Sequence, residues 1–224
     1  MNLLSNVHRL LHARGLDRYR MAKALGLPHS RPVAWESGDG PTLDEVVGLA
    51  DYFGVSIDRL VRGEIREPIH NQVKLLVLDV DGVLTDGGMY VTESGDEMKK
   101  FHTRDGRGII EVQKRGIEVA ILSGGMRGEA VFSRAERLGI SRIYVGTAPK
   151  TQILEKWIQE IGIDYTQVAY VGDDLNDLGV LQKAGFTACP ANAVRQVKDL
   201  VDIILQREGG QGCVREFIED YIGL

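Results

Sequence analysis

The hydrophobic positions follow a helical period up to about residue 62 and a strand-and-helix alternation from residue 73 onward. In the first part, apolar residues recur every three or four positions, which predicts amphipathic helices. Helix start signals at Asp17 and at the pair Thr42 and Glu45 help to divide this part into five short helices. The pattern therefore predicts a small all-α unit.

The second part alternates short apolar runs with amphipathic stretches. The predicted strands are residues 73–79, 117–122, 142–145, 167–172 and 186–189, and the predicted helices are residues 106–115, 127–138, 150–161 and 175–184. This order predicts an α/β fold with a Rossmann-like, doubly wound parallel sheet and helices on both faces. Ligands bind such sheets at the carboxyl ends of the strands, so the residues there are the first candidates for a functional site.

Glycine and proline separate the two parts. Residues 63–72 include Gly63 and Pro68 and break the helical pattern just before the first strand-like run. We therefore predict an all-α domain at residues 1–66 and an α/β domain at residues 67–224. The first domain carries 9 basic and 8 acidic side chains and the second carries 18 and 24, so the net charge of −5 comes from the second.

Composition limits the class of protein. The chain has 224 residues, of which 43% are hydrophobic and 26% charged, which is typical of a soluble globular protein and excludes collagen-like and disordered classes. Its apolar runs are much shorter than the roughly 18 residues of a membrane helix, and the N-terminus lacks a secretory-signal pattern. We expect a cytoplasmic protein with no membrane partner. Cys189 and Cys213 lack metal-ligand spacing and are expected in the core.

Two groups of acidic residues follow predicted strands. Asp79 and Asp81 come after the first strand, and Asp173, Asp174 and Asp177 come after a later one. Neighbouring carboxylates at a strand end repel each other unless a cation lies between them. The sequence therefore predicts a cation site with oxygen ligands, and Mg²⁺ is the expected ion.

A phosphate site is predicted between these two acid groups. Ser123 and Gly124 follow the strand at 117–122 and offer a hydroxyl and backbone N–H groups, and Lys150 begins a helix. A hydroxyl, backbone N–H groups, an ammonium and Mg²⁺ together make a suitable set of partners for a phosphate group.

The order of acid pair, serine, lysine and acid cluster resembles the motif set of the haloacid dehalogenase superfamily over residues 73–224. That resemblance implies that Asp79 is a nucleophile that forms an aspartyl-phosphate, and that Asp81 is a general acid and then a general base. It also implies that Asp79, the backbone carbonyl of Asp81 and Asp173 bind Mg²⁺. Ser123 and Lys150 would bind phosphate oxygens, and the acid at position 81 favours phosphoryl transfer.

The sequence has no room for the cap domain that such phosphatases usually carry. Residues 87–102 look like a hairpin, and the interval from Ser123 to Lys150 is filled by one helix and one strand. Neighbouring subunits are therefore expected to cover the site.

Four stretches make the resemblance more specific. They are Asp79-Val80-Asp81-Gly82-Val83-Leu84-Thr85-Asp86-Gly87, Lys100-Phe101-His102-Thr103-Arg104-Asp105-Gly106, Ala169-Tyr170-Val171-Gly172-Asp173-Asp174-Leu175 and Gly209-Gly210-Gln211-Gly212. They are similar to the 3-deoxy-D-manno-octulosonate 8-phosphate phosphatases, with the nonulosonate 9-phosphate phosphatases as the alternative. The resemblance implies a homotetramer in which four hairpins meet and a C-terminal segment reaches a neighbour's site.

The same resemblance implies contacts with a phosphorylated sugar acid. The implied residues are Thr85, His102, Thr103, Arg104, Asp105, Gly106, Gly124, Arg134 and Asn176. Arg104 would offset the carboxylate of the substrate. The chain departs from the octulosonate pattern at Gly125-Met126-Arg127, where Arg127 is the candidate to replace the usual arginine, and at Gln211. The identity of the sugar therefore stays open.

The first part resembles the Cro/repressor-type helix-turn-helix domain over residues 2–62. The matching residues are Gly15-Leu16, Met21-Ala22, Ala24-Leu25-Gly26, Trp35-Glu36, Gly38, Pro41-Thr42, Leu49-Ala50, Phe53 and Val55-Ser56. This resemblance implies a recognition helix at about residues 29–36 and DNA as a partner. Arg18 and Pro32 depart from the pattern, and the alternative is a helical module for dimerisation or packing. A DNA-binding regulator that senses a sugar phosphate is a further alternative, although a pure sensor has no need of Asp81.

Overall fold

Six parallel strands make the central sheet of this protein, for which a computed structural model describes residues 3–13, 16–62, 73–125 and 128–223. The chain divides into two compact units, residues 1–68 and residues 69–224. The linker predicted at residues 63–72, and with it the predicted boundary at residue 66, lies outside the described residues.

The first unit contains five helices among its described residues, as the hydrophobic pattern predicts. They are α1 (Leu3–Ala13), α2 (Arg18–Ala24), α3 (Arg31–Glu36), α4 (Leu43–Phe53) and α5 (Ile57–Arg62). Their apolar faces enclose a small core that includes Leu10, Met21, Trp35, Leu49, Phe53 and Leu60.

Side chains cap two of these helices at the predicted positions. Asp17 accepts hydrogen bonds from the backbone N–H groups of Tyr19 at 2.8 Å and Arg20 at 2.9 Å. Thr42 and Glu45 form the predicted capping box, in which each side chain accepts a hydrogen bond from the other's backbone N–H. Pro32 is the second residue of α3, where no intrahelical donor is lost, so it leaves the helix intact.

The second unit is the predicted α/β domain. Its strands are β1 (Leu75–Leu78), β2 (Tyr90–Val91), β3 (Glu97–Met98), β4 (Glu118–Ser123), β5 (Arg142–Val145), β6 (Val168–Val171), β7 (Phe186–Cys189) and β8 (Ile203–Ile204). The sheet order is β5-β4-β1-β6-β7-β8, and every pairing in it is parallel. β2 and β3 form the predicted antiparallel hairpin.

Helices cover both faces of this sheet. They are α6 (Thr103–Lys114), α7 (Glu129–Leu138), α8 (Lys150–Ile161), α9 (Leu178–Leu181), α10 (Arg195–Lys198) and α11 (Cys213–Phe217). Alternate residues of β1 point to opposite faces, so that Leu76 and Leu78 join the core under α6, α7 and α11, and Leu75 and Val77 join the core under α8, α9 and α10. Both cysteines are buried, as expected.

Some boundaries differ from the predicted ones. The helix predicted over residues 175–184 is a tight turn at Leu175–Asp177 followed by the short α9, because Asp177 turns its carboxylate back to the backbone of the preceding loop. Strand β8 and helices α10 and α11 are additional to the predicted elements. None of the helices in the described part of the chain is long and apolar enough to cross a membrane.

Candidate active site

The carboxyl ends of β1, β4 and β6 meet at one edge of the sheet, above a cavity of about 390 Å³. The residues lining this cavity are Asp79, Asp81, Gly82, Asp86, Gly87, Ser123, Gly124, Gly125, Asp173, Asp174, Asn176 and Asn192. The parallel register places Leu78 beside Ile121 and Val171, so the residues that follow these three strands converge. The structure thus brings both predicted acid groups and Ser123 to one place.

Lys150 is buried between two carboxylates, one of which, Asp79, lines this cavity. Its Nζ lies 2.9 Å from Oδ2 of Asp79 and 2.7 Å from Oδ1 of Asp177. The hydroxyl of Tyr170 also donates to Oδ1 of Asp177, at 2.5 Å. A buried ammonium is stable only when it is paired, so this arrangement fixes Lys150 next to Asp79.

Asp177 ties the second acid loop together. Its Oδ2 accepts hydrogen bonds from the backbone N–H groups of Asp173 at 2.9 Å and Asp174 at 3.2 Å. Both oxygens of Asp177 are therefore engaged by protein groups, one by the loop and one by Lys150 and Tyr170. Asp177 organises the site, and Asp173 is left to face the cavity.

The carboxyl groups of Asp79 and Asp173 lie where water reaches them poorly, which disfavours their charged forms. Burial and the neighbouring Asp177 raise the pKa of Asp79 to about 8, against the opposing effect of Lys150. Burial and the same neighbour raise the pKa of Asp173 to about 7. Repulsion between nearby carboxylates is the condition that a bound cation relieves.

The residues at this edge fit a divalent cation. Asp79, Asp173 and Asp177 each offer an oxygen, and these oxygens lie within 4.8 Å of one another. Oδ1 of Asp173 is buried and has no hydrogen-bonding partner. Carboxylate oxygens are the ligands that Mg²⁺ prefers.

Asp81 lies in the single wide turn at Val80–Leu84 that follows β1. Gly82, next to it, has φ of +83°, and a β-carbon there would lie 2.0 Å from Oδ2 of Asp173. Only glycine permits this backbone conformation and this close approach of the two acid loops. Oδ1 of Asp81 receives a hydrogen bond from Nζ of Lys99 at 2.5 Å and lies 3.4 Å from Oγ1 of Thr85.

Comparison with known proteins assigns this chain to a family. The sequence pattern of the haloacid dehalogenase-like hydrolases matches residues 107–185. The 3-deoxy-D-manno-octulosonate 8-phosphate phosphatase KdsC of Escherichia coli strain K12 is 38% identical over 169 residues, which are 75% of this chain and 86% of that protein. The chain belongs to the haloacid dehalogenase-like hydrolases. It is a phosphatase of the KdsC type, and so a phosphoric monoester hydrolase.

Solved structures of haloacid dehalogenase-like hydrolases have the same fold. The Moraxella catarrhalis 3-deoxy-D-manno-octulosonate 8-phosphate phosphatase, in complex with magnesium, phosphate and KDO, is 37% identical with a TM-score of 0.65 and covers 67% of this chain and 86% of that one. A probable phosphatase of the yrbi family from Pseudomonas syringae is 42% identical with a TM-score of 0.66, over 68% of this chain and 86% of that one.

Two of the nine predicted substrate residues line the cavity of this hydrolase, and they are Gly124 and Asn176. Thr85 is buried beneath it, where its hydroxyl contacts the carbonyl of Val80 at 3.2 Å. Thr103 and Arg104 are exposed in the first turn of α6.

The other four predicted substrate residues lie close together at the start of α6. Asp105 is buried and accepts a hydrogen bond from the backbone of Arg215 at 2.7 Å. Arg134 donates to the backbone carbonyl of His102 at 3.3 Å, and its guanidinium packs against Gly106. None of these four residues lines the cavity described above, so their substrate contacts remain a prediction. Arg127 lies outside the described residues.

Sequence reasoning missed three residues near this active site. Lys99 pairs with Asp81, Lys100 pairs with Asp86 at 3.1 Å, and Asn192 lines the cavity while its side-chain oxygen accepts from the backbone of Gly209 at 3.0 Å. The available sequence signal for Lys99 and Lys100 was the pair of lysines directly before the apolar Phe101. Asn192 has no signal in the sequence, because a loop far along the chain brings it to the site.

Proposed function

We propose that this protein is a Mg²⁺-dependent phosphatase that hydrolyses the phosphate monoester of a 2-keto-3-deoxy sugar acid through an aspartyl-phosphate. The substrate proposed first is 3-deoxy-D-manno-octulosonate 8-phosphate. The observation that carries the proposal is the position of Asp79, which is buried against Lys150 at the cavity of a KdsC-type fold.

Asp79 is the proposed nucleophile. Its carboxylate attacks the phosphorus atom in line with the ester oxygen, and a bond from oxygen to phosphorus forms as the ester bond breaks. Lys150 and Ser123 hold the phosphate oxygens, and Asp177 and Tyr170 keep Lys150 in place. Asp79, the backbone carbonyl of Asp81 and Asp173 would hold Mg²⁺, which when bound supplies positive charge to the phosphate group.

Asp81 is the proposed general acid and base. It gives its proton to the departing sugar oxygen in the first half-reaction. In the second half-reaction it takes a proton from water, which attacks the phosphorus of the aspartyl-phosphate and releases phosphate and Asp79. Its side chain is 43% exposed and lines the cavity, so it can reach both oxygens.

A nonulosonate 9-phosphate is the second proposed substrate. The support for this alternative is the sequence at Gly125-Met126-Arg127 and at Gln211, where the chain departs from the octulosonate pattern. Gly125, the described residue of this stretch, lines the cavity that is proposed to bind the substrate.

Phosphate release from a panel of sugar phosphates tests the proposed function. With Mg²⁺ present, we expect kcat/KM for one sugar-acid phosphate to exceed that for ribose 5-phosphate by at least about 100-fold, because a carboxylate partner contributes several kcal/mol of binding. EDTA is expected to remove the activity and added Mg²⁺ to restore it. Equal kcat/KM for sugar-acid and neutral sugar phosphates would contradict the proposed substrate class.

A homotetramer built through the hairpin is part of the proposal. Four large apolar side chains of the hairpin, Met89, Tyr90, Val91 and Met98, are all more than half exposed. Contiguous apolar surface of this kind is typical of protein interfaces. Light scattering on the intact protein is expected to give four chains. The substitution Tyr90→Ser is expected to reduce that number, and a monomeric wild type would contradict this part of the proposal.

DNA binding by a helix-turn-helix domain is the second candidate function. The helices α2 and α3 and the turn between them support this arrangement. Arg18 already pairs with Glu36 at 3.4 Å, and Arg31 with Glu45 at 2.6 Å, which leaves fewer basic groups for phosphates. A DNA titration at low salt distinguishes the alternatives, and the absence of binding there would favour an assembly module.

A further inference from the structure

Lys99 emerges from the hairpin directly beside the proposed general acid. We propose that Lys99 is a positioning residue for Asp81, which holds one carboxylate oxygen so that the other faces the leaving group. This inference rests on the proposed function, because it assigns Lys99 a task in the step that Asp81 carries out.

The first observation is the unusual burial of Lys99. Its side chain is 8% exposed, whereas that of the next residue, Lys100, is 54% exposed. A lysine is rarely buried unless its ammonium is paired, and Oδ1 of Asp81 at 2.5 Å is the partner of Lys99 among the described residues. The pairing is therefore the reason that this side chain is directed inward.

The backbone holds Lys99 in that position. Phe101, two residues later, forms an antiparallel bridge with Thr85, which ends the turn that carries Asp81. Residues 99 and 101 of an extended segment point to the same side, and Lys100 points to the other. The segment that carries Lys99 is thus fixed to the segment that carries Asp81.

The contacts of Asp81 distinguish its two oxygens. Oδ1 accepts a hydrogen bond from Nζ of Lys99. It also lies near the hydroxyl of Thr85, and that hydroxyl is within hydrogen-bonding distance of the carbonyl of Val80 as well. Oδ2 has no hydrogen-bonding partner in the described part of the protein, on a side chain that lines the cavity. One oxygen is held and the other is free to exchange a proton with the substrate, which is the preorganisation that general acid catalysis needs.

The choice of leaving group gives a readout that a purely structural role would not change. The departing oxygen of an alkyl phosphate such as ribose 5-phosphate needs a proton, whereas 4-nitrophenyl phosphate releases 4-nitrophenolate, a stable anion that needs little protonation. Because kcat/KM reports the first half-reaction, the ratio of the two kcat/KM values isolates the acid step. We expect Lys99→Met to lower kcat/KM for the alkyl ester about 100-fold and for the nitrophenyl ester less than about 5-fold.

Three further variants complete the experiment. Lys99→Arg keeps a charged donor and is expected to restore most of the activity on the alkyl ester. Lys100→Met removes the same charge one residue along and is expected to leave the ratio of the two kcat/KM values unchanged. The double variant Lys99→Met with Asp81→Asn is expected to have a kcat/KM for the alkyl ester within about 2-fold of that of Asp81→Asn alone, because both substitutions act on one step.

The outcomes separate this inference from the proposed function. If Lys99→Met lowers both esters by the same factor, leaves both unchanged, or adds fully to Asp81→Asn, the positioning role is wrong while the phosphatase mechanism stands. If the wild type releases phosphate with Mg²⁺ neither from the sugar-acid phosphates nor from these two esters, or if Asp81→Asn does not discriminate between the two esters, the mechanism is wrong and the inference falls with it. If Lys99→Met does not fold by circular dichroism, Lys99→Gln replaces it with the same expected change in ratio.

Discussion

Gly82 and Asp173 approach each other so closely that a β-carbon on Gly82 would lie 2.0 Å from the carboxylate of Asp173. The two residues belong to the loops that follow β1 and β6, which are neighbouring strands. The separation of the two acid loops is therefore set by the absence of a side chain at one position.

The substitution Gly82→Ala is expected to impair both stability and activity. The positive φ alone costs about 1 kcal/mol in a residue other than glycine, and the overlap with Asp173 adds about 1 to 3 kcal/mol. We expect the concentration of Mg²⁺ for half-maximal activity to rise at least about 10-fold, because Asp173 must move. Urea unfolding and a Mg²⁺ titration of phosphate release measure the two effects.

Gly116→Ala is the matched control for Gly82→Ala. Gly116 has φ of +85°, and a β-carbon there has nothing within 4 Å. It is expected to show the loss of about 1 kcal/mol without a change in Mg²⁺ dependence. An equal effect of both substitutions on Mg²⁺ dependence would mean that contact with Asp173 is not the cause.

Removal of the buried ammonium is expected to be severe. Lys150→Met leaves Asp79 and Asp177 buried without their cationic partner, which costs about 3 to 5 kcal/mol in comparable sites. We also expect kcat/KM to fall at least about 100-fold, because a group that stabilises the transferring phosphate is lost. Lys156→Met on the exposed side of the same helix is the control and is expected to change either quantity little. Comparable losses in the two variants would refute the role of Lys150.

Replacement of the nucleophile is expected to stop covalent chemistry. Asp79→Asn removes the attacking oxygen, so phosphate release is expected to fall at least about 1000-fold, and no aspartyl-phosphate is expected after rapid quenching with a radiolabelled substrate. The control is Asp199→Asn, an exposed acid directly after the C-terminal end of α10. Turnover that survives Asp79→Asn would overturn the proposed mechanism.

The first unit is expected to lose stability in acid through Glu45. Hydrogen bonds from Arg31, and then from the backbone of Thr42 and the indole of Trp35, lower the pKa of Glu45 to about 2 from its ordinary value of 4.5. A carboxyl with a lowered pKa stabilises the folded state above its ordinary pKa, and this contribution is lost as the pH falls from about 4.5 to about 2.

Fluorescence of Trp35 in the intact chain measures that loss, with Trp157→Phe removing the other tryptophan. We expect the melting temperature reported by Trp35 to fall over this pH range. Glu45→Gln is expected to melt lower at neutral pH and to show a smaller fall. Asp51→Asn, on the exposed side of α4, is expected to retain the wild-type fall. An undiminished fall in Glu45→Gln would assign the acid sensitivity to other groups.

Much of the fold follows from short-range patterns. The run Leu75 to Leu78 is apolar at every position, which is typical of a central parallel strand, and its alternate residues join two separate cores. The capping residues Asp17 and Thr42 act within three residues of themselves, so the sequence alone predicts them. The parallel α/β fold is confirmed, and it was predictable because its strands and helices are visible as short-range hydrophobic patterns.

The remaining features depend on contacts between distant segments. The length of α9 is decided by hydrogen bonds that the carboxylate of Asp177 accepts from the loop before it. The direction of Lys99 is decided by the bridge between Phe101 and Thr85. Neither contact is visible as a period along the chain. The predicted substrate residues around Arg104 do not line the cavity, so their contacts with substrate stay predictions.

Strand β1 directly precedes Asp79, the proposed nucleophile, and is the first strand of the sheet along the chain, yet it lies between β4 and β6. During synthesis, β1 therefore leaves the ribosome long before either of its partners exists. Its four buried residues have no sheet to join until residues 118–123 and 168–171 have followed. Non-local pairing of this kind slows folding and leaves apolar surface exposed in the meantime. The centre of the sheet is thus complete only after residue 171 has been synthesised, and the nascent chain is expected to depend on chaperones until β6 is in place.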